Sequence, residues 1–264
     1  MLKAILWDVD GTLAETERDG HLVAFNRAFE ALEVPWRWSE TRYGELLAVA
    51  GGRERLLHDM ERQVRAPPDP ERRAALAEQI HRLKNELYAA IVSGGALPLR
   101  PGVAELFDDC ARAGMRMGIV TTTSAANVAA LLGARLGTDW RSRFAAVVCA
   151  EHAPRKKPDS QAYLRALDTL SLRPDEALAI EDAPAGVTAA RAAGVAVVVV
   201  RSFYFAAAEV EGALAVGPSL GRAQGWDPTP GATPDERIHL SQLVQWHEAQ
   251  QAGRRAAPAA DRIG

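Results

Sequence analysis

The sequence predicts an α/β protein: a doubly wound parallel sheet whose chain is interrupted, after the first strand, by an all-helical insert. Two observations carry this reading. From Leu97 onward, short apolar runs alternate with helical stretches of about a dozen residues, the pattern of βαβ units. Between Glu15 and Gly95 the only apolar periodicity is helical. A third observation agrees with them. The run Val195–Val200 is apolar without alternation, as expected of a strand covered on both faces.

Taken in order, Leu2–Trp7 reads as a buried strand ending at Asp8. Leu22, Phe25, Phe29 and Leu32 recur at helical spacing, so Glu17–Leu32 is predicted helical and Val34-Pro35 ends it. Thr41–Val49 and Arg53–Val64 are two further helices, separated by Ala50-Gly51-Gly52. Asp69-Pro70 opens a long charged helix to about Val92. Gly and Pro in the stretch from Ser93 to Gly102 mark the next boundary. Beyond it come helix Val103–Ala113, strand Met115–Thr121, helix Ala125–Leu136 and strand Phe144–Ala150. Helix Ser160–Leu170, strand Ala177–Ile180, helix Pro184–Ala193 and strand Val195–Val200 follow. Gly217–Pro234 reads as loop, Asp235–Gln251 as a last helix, and residues 252–264 as a disordered tail. The implied organisation is a core of residues 1–14 and 97–234, a helical cap domain of residues 15–96, and a C-terminal helix over 235–251.

The bulk properties are those of a globular protein. Of 264 residues, 48% are hydrophobic and 25% charged, and the net charge is −3, which offers no electrostatic reason to bind nucleic acid or an anionic membrane. The two cysteines, Cys110 and Cys149, sit in apolar contexts and read as buried free thiols, which suits a reducing, cytoplasmic setting. Asp8, Asp10, Glu15 and Glu17 interrupt the N-terminal apolar run, against a signal peptide, and Val195–Val200 is too short to span a bilayer. A monomer is the default expectation.

In open α/β sheets the carboxyl ends of the strands deliver functional groups to one edge. Here the first strand delivers Asp8 and Asp10, and the second Thr121-Thr122-Thr123-Ser124. The third is followed by Arg155-Lys156-Lys157-Pro158, and the fourth delivers Glu181-Asp182. Singly, each has a plainer reading as a turn, an N-cap, a solvated loop or a helix start. Four at four successive strand ends are poorly explained as caps. Together they fit phosphoryl transfer through an aspartyl phosphate. Asp8 would attack phosphorus, and Asp10 would protonate the leaving oxygen and then activate water. Mg2+ would bridge the repelling charges, held by the Asp8 and Asp182 carboxylates and the Asp10 backbone carbonyl, with Glu181 nearby. Thr121 and the Thr122 N–H would hold phosphate oxygens, and Lys157 would neutralise charge on Asp8 and the phosphoryl group.

Asp8-Val9-Asp10-Gly11-Thr12, Thr121, Lys157-Pro158 and Glu181-Asp182 resemble the four motifs of the haloacid dehalogenase superfamily, over Met1 to about Arg201. The helical insert is similar to that superfamily's α-helical cap. Stretches such as AETERDGHLVAFNRAF, AVAGGRERL, IHRLKNELY and IEDAPAGVTAARAAG resemble the CbbY-type sugar-bisphosphate phosphatases most. That resemblance implies a small phosphorylated sugar as partner, xylulose-1,5-bisphosphate, a Rubisco inhibitor. It also implies that Glu17 binds sugar hydroxyls, that Gly52, Arg53 and Lys84 lie near the distal end of the substrate, and that Tyr43 is a further candidate. A second phosphate needs its own cation, for which either Arg53 or Arg55 is suited by its planar fork. His21 is either a cap-contact or proton-relay residue or a satisfied structural histidine. The stretch RSFYFAAAEVEG after the fifth strand departs from the polar segment expected in this branch. Phosphomutase and phosphoglycolate phosphatase remain open as alternative activities. A binding protein that has lost the chemistry would be expected to lack Asp8 or Asp10.

Overall fold

The computed structural model describes residues 1–231, 233 and 235–256. Six strands form one sheet: β1 Ala4–Trp7, β2 Arg116–Val120, β3 Ala146–Val148, β4 Ala177–Glu181, β5 Ala196–Val200 and β6 Ala215–Gly217. All neighbours are parallel, in the order β3-β2-β1-β4-β5-β6. The order reverses beside β1, which pairs with β2 on one side and β4 on the other, so the switch point lies at the strand ends that carry Asp8 and Glu181.

The unbroken apolar strands are explained by coverage on both faces. Along β1, Ile5 and Trp7 enter one hydrophobic cluster while Ala4 and Leu6 enter the other. In β4, Leu178 and Ile180 face the first cluster, and Ala177 and Ala179 the second. Helices α5 (Val103–Arg112), α6 (Ala125–Leu136) and α9 (Leu240–Ala256) contribute to the first cluster. Helices α7 (Gln161–Leu170) and α8 (Pro184–Ala192) cover the alanine-rich second face.

Between β1 and α5 the chain is helical. A π-helical segment Glu17–Leu22 runs into α1 (Val23–Ala31), and α2 (Glu40–Leu46), α3 (Gly52–Met60) and α4 (Pro70–Ser93) follow. Asp69 caps α4 by accepting the Arg72 N–H at 2.8 Å, with Pro70 in the first turn. These helices have a hydrophobic cluster of their own, centred on Trp38, whose ring lies 4.8 Å from Phe25 and 5.0 Å from Phe29. The indole N–H donates to buried Asp59 at 2.6 Å, and Arg42 pairs with the same carboxylate at 2.6 Å. Gly20 lets the π-helical segment approach α4 closely, since a Cβ there would stand 2.8 Å from the Tyr88 ring.

Arg100 ties the two crossings between the sheet and the helical insert. Its guanidinium donates to the carbonyls of Gly11 and Arg201 and, at 3.2 Å, Pro218, while its backbone N–H donates to Leu13 O at 2.7 Å. One side chain thus fastens the outgoing linker to the ends of β5 and β6.

The structure corrects several sequence expectations. Strands β1 to β3 are each shorter than their apolar runs, although flanking N–H groups such as those of Lys3, Thr121 and Ala145 still donate to the neighbouring strands or their flanks. The start of Glu17–Leu32 is π-helical. Strand β6 lies where the sequence predicts no element: three residues, Ala-Val-Gly, give no usable period. The last helix begins at Leu240, because Asp235, Arg237 and His239 pair with one another and with Asp109 ahead of it. It runs on to Ala256, so residues 252–256 are helical, and the remainder of the expected tail lies outside the described residues.

Candidate active site

The four strand-end motifs meet at the switch point. Lys157 Nζ donates to Asp8 Oδ1 at 2.7 Å, Glu181 Oε1 at 2.6 Å and Val120 O at 2.8 Å, which uses all three ammonium hydrogens. Burial alone would lower the Lys157 pKa, but Asp8 and Glu181 outweigh it and hold the ammonium charged. Carboxylate oxygens of Asp8, Glu181 and Asp182 lie within 4.8 Å of one another, and all three residues are buried.

The cluster carries more negative charge than it can neutralise. Three carboxylates face one ammonium, a formal surplus of two negative charges. Burial pushes the Asp8 pKa up to about 7 despite Lys157, and burial with the Asp8 charge pushes Asp182 well above the usual carboxylate range. A divalent cation held by these carboxylates would offset that surplus. Oxygen donors, buried and converging, are the set that a hard cation such as Mg2+ takes. The backbone makes room for them. A Cβ at Gly11, whose φ is +85°, would stand 2.1 Å from Asp182 Oδ2, and one at Gly186 would stand 1.9 Å from Glu181 Oε2.

Asp10 is held apart from this trio. Its Oδ1 accepts from Thr16 Oγ1 at 2.6 Å and lies 3.1 Å from His21 Nε2. Burial works to raise the Asp10 pKa, but His21 and Thr16 outweigh it and keep the carboxyl below its usual range. His21 stacks on Tyr88 with ring centroids 4.3 Å apart. His21 is buried with its Nε2 on Asp10, while its Nδ1 has no hydrogen-bond partner among the described residues, so it is not a fully satisfied structural histidine.

Thr121 Oγ1 accepts the Thr123 N–H at 3.1 Å, and Ser124 caps α6 through the Asn127 N–H at 3.3 Å. Thr122, Thr123, Ser124 and Asn127 line one wall of a cavity of ≈ 250 Å³. The opposite wall carries Glu17, Gly52, Arg53, Arg55, His81 and Lys84 from the helical insert. An adjoining cavity reaches Asp8, Lys157, Glu181 and Asp182. The two share Asp10, Glu17, Gly51, Arg55 and Thr122 and form one cleft.

Within this cleft the sequence candidates separate. Lys84 is buried, 5.1 Å from the Phe25 ring centroid and 5.4 Å from that of Tyr88. Its one hydrogen bond among the described residues goes to Asn85 Oδ1 at 3.3 Å, and burial pulls its pKa down to about 8. Arg53 lines the cleft but is only half-buried and pairs with Glu78 at 3.1 Å. Tyr43 is fully buried behind Glu17, donating to its Oε2 at 2.5 Å and accepting from Arg55 Nη1 at 2.7 Å. It orients Glu17 from behind rather than lining the cleft. Arg55 stacks over the Tyr43 ring at 5.0 Å.

Residues that the motifs did not single out complete the site: Thr16, Tyr163, Asn127 and Ser202. Thr16 falls inside the stretch that carries the family resemblance, and the others have no local sequence signal.

Comparison with known proteins gives the family. A family model for haloacid dehalogenase-like hydrolases matches residues 2–194. The chain belongs to the haloacid dehalogenase-like hydrolases. Within them it is 43% identical to the plasmid CbbY protein of Cupriavidus necator, over 93% of this chain and 97% of that one. The CBBY-like protein of Arabidopsis thaliana is 34% identical, over 90% of this chain and 72% of that one. Among solved structures, a mutant CbbY from Rhodobacter sphaeroides in complex with xylulose-1,5-bisphosphate is similar, with a TM-score of 0.78 and 39% identity. That match covers 85% of this chain and 97% of the other. As a hydrolase of this family the chain is a phosphatase of phosphate monoesters. Among the described residues no helix is long and apolar enough to cross a membrane.

Proposed function

We propose that this hydrolase is a Mg2+-dependent phosphatase of a small sugar bisphosphate, most specifically xylulose-1,5-bisphosphate. The observation that carries the proposal is a pair of buried lysines served by one cleft, Lys157 among the strand ends and Lys84 from the helical insert. One phosphate of a bisphosphate sits beside Lys157 and the strand-end acids, and the other gives Lys84 the oxygen partners it lacks among the described residues. The bisphosphate bound to the similar CbbY mutant supports the same substrate class.

Asp8 Oδ1 is taken by Lys157, which leaves Oδ2 as the attacking atom. It forms the new O–P bond as the sugar O–P bond breaks, and Asp10 gives a proton to the departing sugar oxygen. Asp10 is a carboxylate at rest; the arriving phosphate dianion raises its proton affinity, so it takes this proton from solvent before the transfer, and the proton it later removes from water returns to solvent when phosphate leaves. In the second half Asp10 takes a proton from water as that water attacks phosphorus, releasing phosphate and restoring Asp8. Lys157 stabilises charge on Asp8 and the transferring oxygens, with Thr121 and the Thr122 N–H beside them. Asp8, Asp182 and the Asp10 carbonyl, with Glu181 beside them, would hold Mg2+, which would supply positive charge to offset the repulsion between carboxylate and phosphate. Glu17, set by Tyr43 and Arg55, binds sugar hydroxyls, and Lys84, with Gly52 and Arg53 at the rim, takes the distal phosphate. The helical insert, residues 15–96, acts as the cap that excludes water.

The test is phosphate release with Mg2+, comparing xylulose-1,5-bisphosphate with ribulose-1,5-bisphosphate, phosphoglycolate and β-glucose 1-phosphate, with Asp8→Asn as control. The expected result is preference for xylulose-1,5-bisphosphate and a loss of at least about 10⁴-fold in kcat for the variant. Isomerisation of the glucose phosphate without phosphate release would replace the reading with a phosphomutase. Activity surviving in Asp8→Asn would remove Asp8 as nucleophile.

A further inference from the structure

The stretch that departs from the family pattern begins at Arg201-Ser202, and Ser202 reaches into the site. Its hydroxyl donates to Asp182 Oδ2 at 2.6 Å, and the residue is 4% exposed. Asp182 Oδ2 is also the atom that abuts Gly11, where no side chain could stand. That oxygen is thus tied off on two sides, which leaves Oδ1 for other partners. The neighbouring carboxylate has a parallel arrangement. Tyr163, fully buried on α7, donates its hydroxyl to Glu181 Oε1, the oxygen that Lys157 also holds. Glu181 Oε2 is left beside Gly186.

Both donors are neutral. A lysine or arginine in either place would fix the carboxylate equally well, but it would cancel the surplus negative charge that suits a divalent cation. A hydroxyl fixes the rotamer and leaves the charge in place. The donors also come from different elements, the segment just after β5 and the first turn of α7, so each acid is braced from a separate side.

We propose that Ser202 and Tyr163 are positioning residues for the divalent cation, neutral hydroxyl braces that fix the rotamers of Asp182 and Glu181 so that a carboxylate oxygen of each converges with Asp8. This rests on the metal-dependent reading of the site. The test uses the full chain and Mg2+ alone as probe. Calorimetric titration gives the Mg2+ dissociation constant of the parent, Ser202→Ala and Tyr163→Phe. Thermal unfolding without metal gives each variant's intrinsic stability. Each variant is expected to bind Mg2+ about tenfold more weakly. The Mg2+ concentration for half-maximal turnover should rise in step, while kcat and the substrate KM at saturating Mg2+ stay within about threefold. A merely structural hydroxyl would lower the metal-free melting temperature and leave the Mg2+ constant unchanged, and constants within twofold of the parent in both variants would overturn the proposal. A parent that binds no Mg2+ would overturn the metal reading itself. The two failures are therefore distinguishable, and Tyr163→Phe keeps the test open if Ser202→Ala does not fold.

Discussion

Two buried lysines mark the two ends of the cleft, and their surroundings are opposite. Lys157 has three oxygen acceptors within 2.8 Å, two of them carboxylates, and its proton is held more tightly than in water. Lys84 is as well buried, yet it has two aromatic faces and a single amide oxygen at 3.3 Å, and its pKa is pulled down to about 8. Burying an ammonium is costly unless oxygen atoms replace its water. At Lys157 the fold supplies those oxygens, so the residue belongs to a framework complete before substrate arrives. At Lys84 it supplies few, so the missing partner is to come from outside. On this view the strand-end site is built for chemistry common to many substrates, and the helical insert is built for one.

The strongest way to break this contrast is to remove the framework lysine. Lys157→Ala leaves Asp8 and Glu181 buried without their cation, so unfolding in denaturant should show a loss of about 3–5 kcal/mol. Turnover should fall by about 10²–10³-fold, since charge on the transferring oxygens is no longer met. Lys84→Met should behave differently. It removes a costly buried charge and keeps the stem packed on Phe25 and Tyr88, so stability should hold or rise. The loss should appear as an increase of about 10–100-fold in KM for a bisphosphate, with monophosphate turnover little changed. Equal losses for both substrates would show that Lys84 acts on the chemistry rather than on the second phosphate.

Acidity sharpens the same contrast because the shifts have opposite consequences. Asp8 has its pKa raised from 3.8 to about 7, so between those values the folded chain holds a proton that the unfolded chain has lost. Its contribution to stability is complete below pH 3.8 and is lost as pH rises through about 7. Lys84 is lowered from 10.5 to about 8, so between those values the unfolded chain holds the extra proton, and stability from this group rises with pH. Thermal unfolding without metal should therefore show a decline toward neutrality that Asp8→Asn diminishes. Mg2+ should raise the melting temperature more at pH 7.5 than at pH 5, by several degrees. Substrate KM should climb above about pH 8 as the free Lys84 ammonium loses its proton, and Lys84→Arg should flatten that climb.

The same division governs what could be read from the sequence. The framework was legible because each of its parts sits at a strand end, where an apolar run stops and a polar motif starts: Asp8, Asp10, Thr121, Lys157, Glu181 and Asp182. Their convergence followed from the parallel order of the strands. The braces were not legible. Tyr163 stands inside an ordinary amphipathic helix and reads as core, and Ser202 is a single hydroxyl in an aromatic stretch. Only the packing of α7 against β2 and β3 and the pairing of β5 with β4 bring them to the acids. Tyr43 shows the converse. It was singled out as a candidate for touching substrate, yet the fold spends its hydroxyl on Glu17 and Arg55. The element missed outright, β6, is short and lies on the outer edge, far from any motif.

The smallest expected effect tests how the two regions are joined. Lys156, next to Lys157, pairs with Glu54 of α3 at 2.6 Å, and the Glu54 side chain is 48% exposed. Gly51, with φ +98°, leaves the room, because a Cβ there would stand 2.1 Å from Lys156 Nζ. An ion pair so open to water contributes roughly 0–1 kcal/mol and weakens with salt. Glu54→Gln should therefore change kcat/KM by less than about threefold, and the change should shrink further in 0.5 M salt. Gly51→Ala should cost more, about 1–2 kcal/mol, since it strains the backbone as well as pushing the pair apart. If the bridge were instead a principal fastening of the insert over the strand ends, Glu54→Gln alone would shift kcat/KM tenfold or more. Lys156 and Glu54 would then join Lys84 among the groups that decide whether the cleft closes on a substrate.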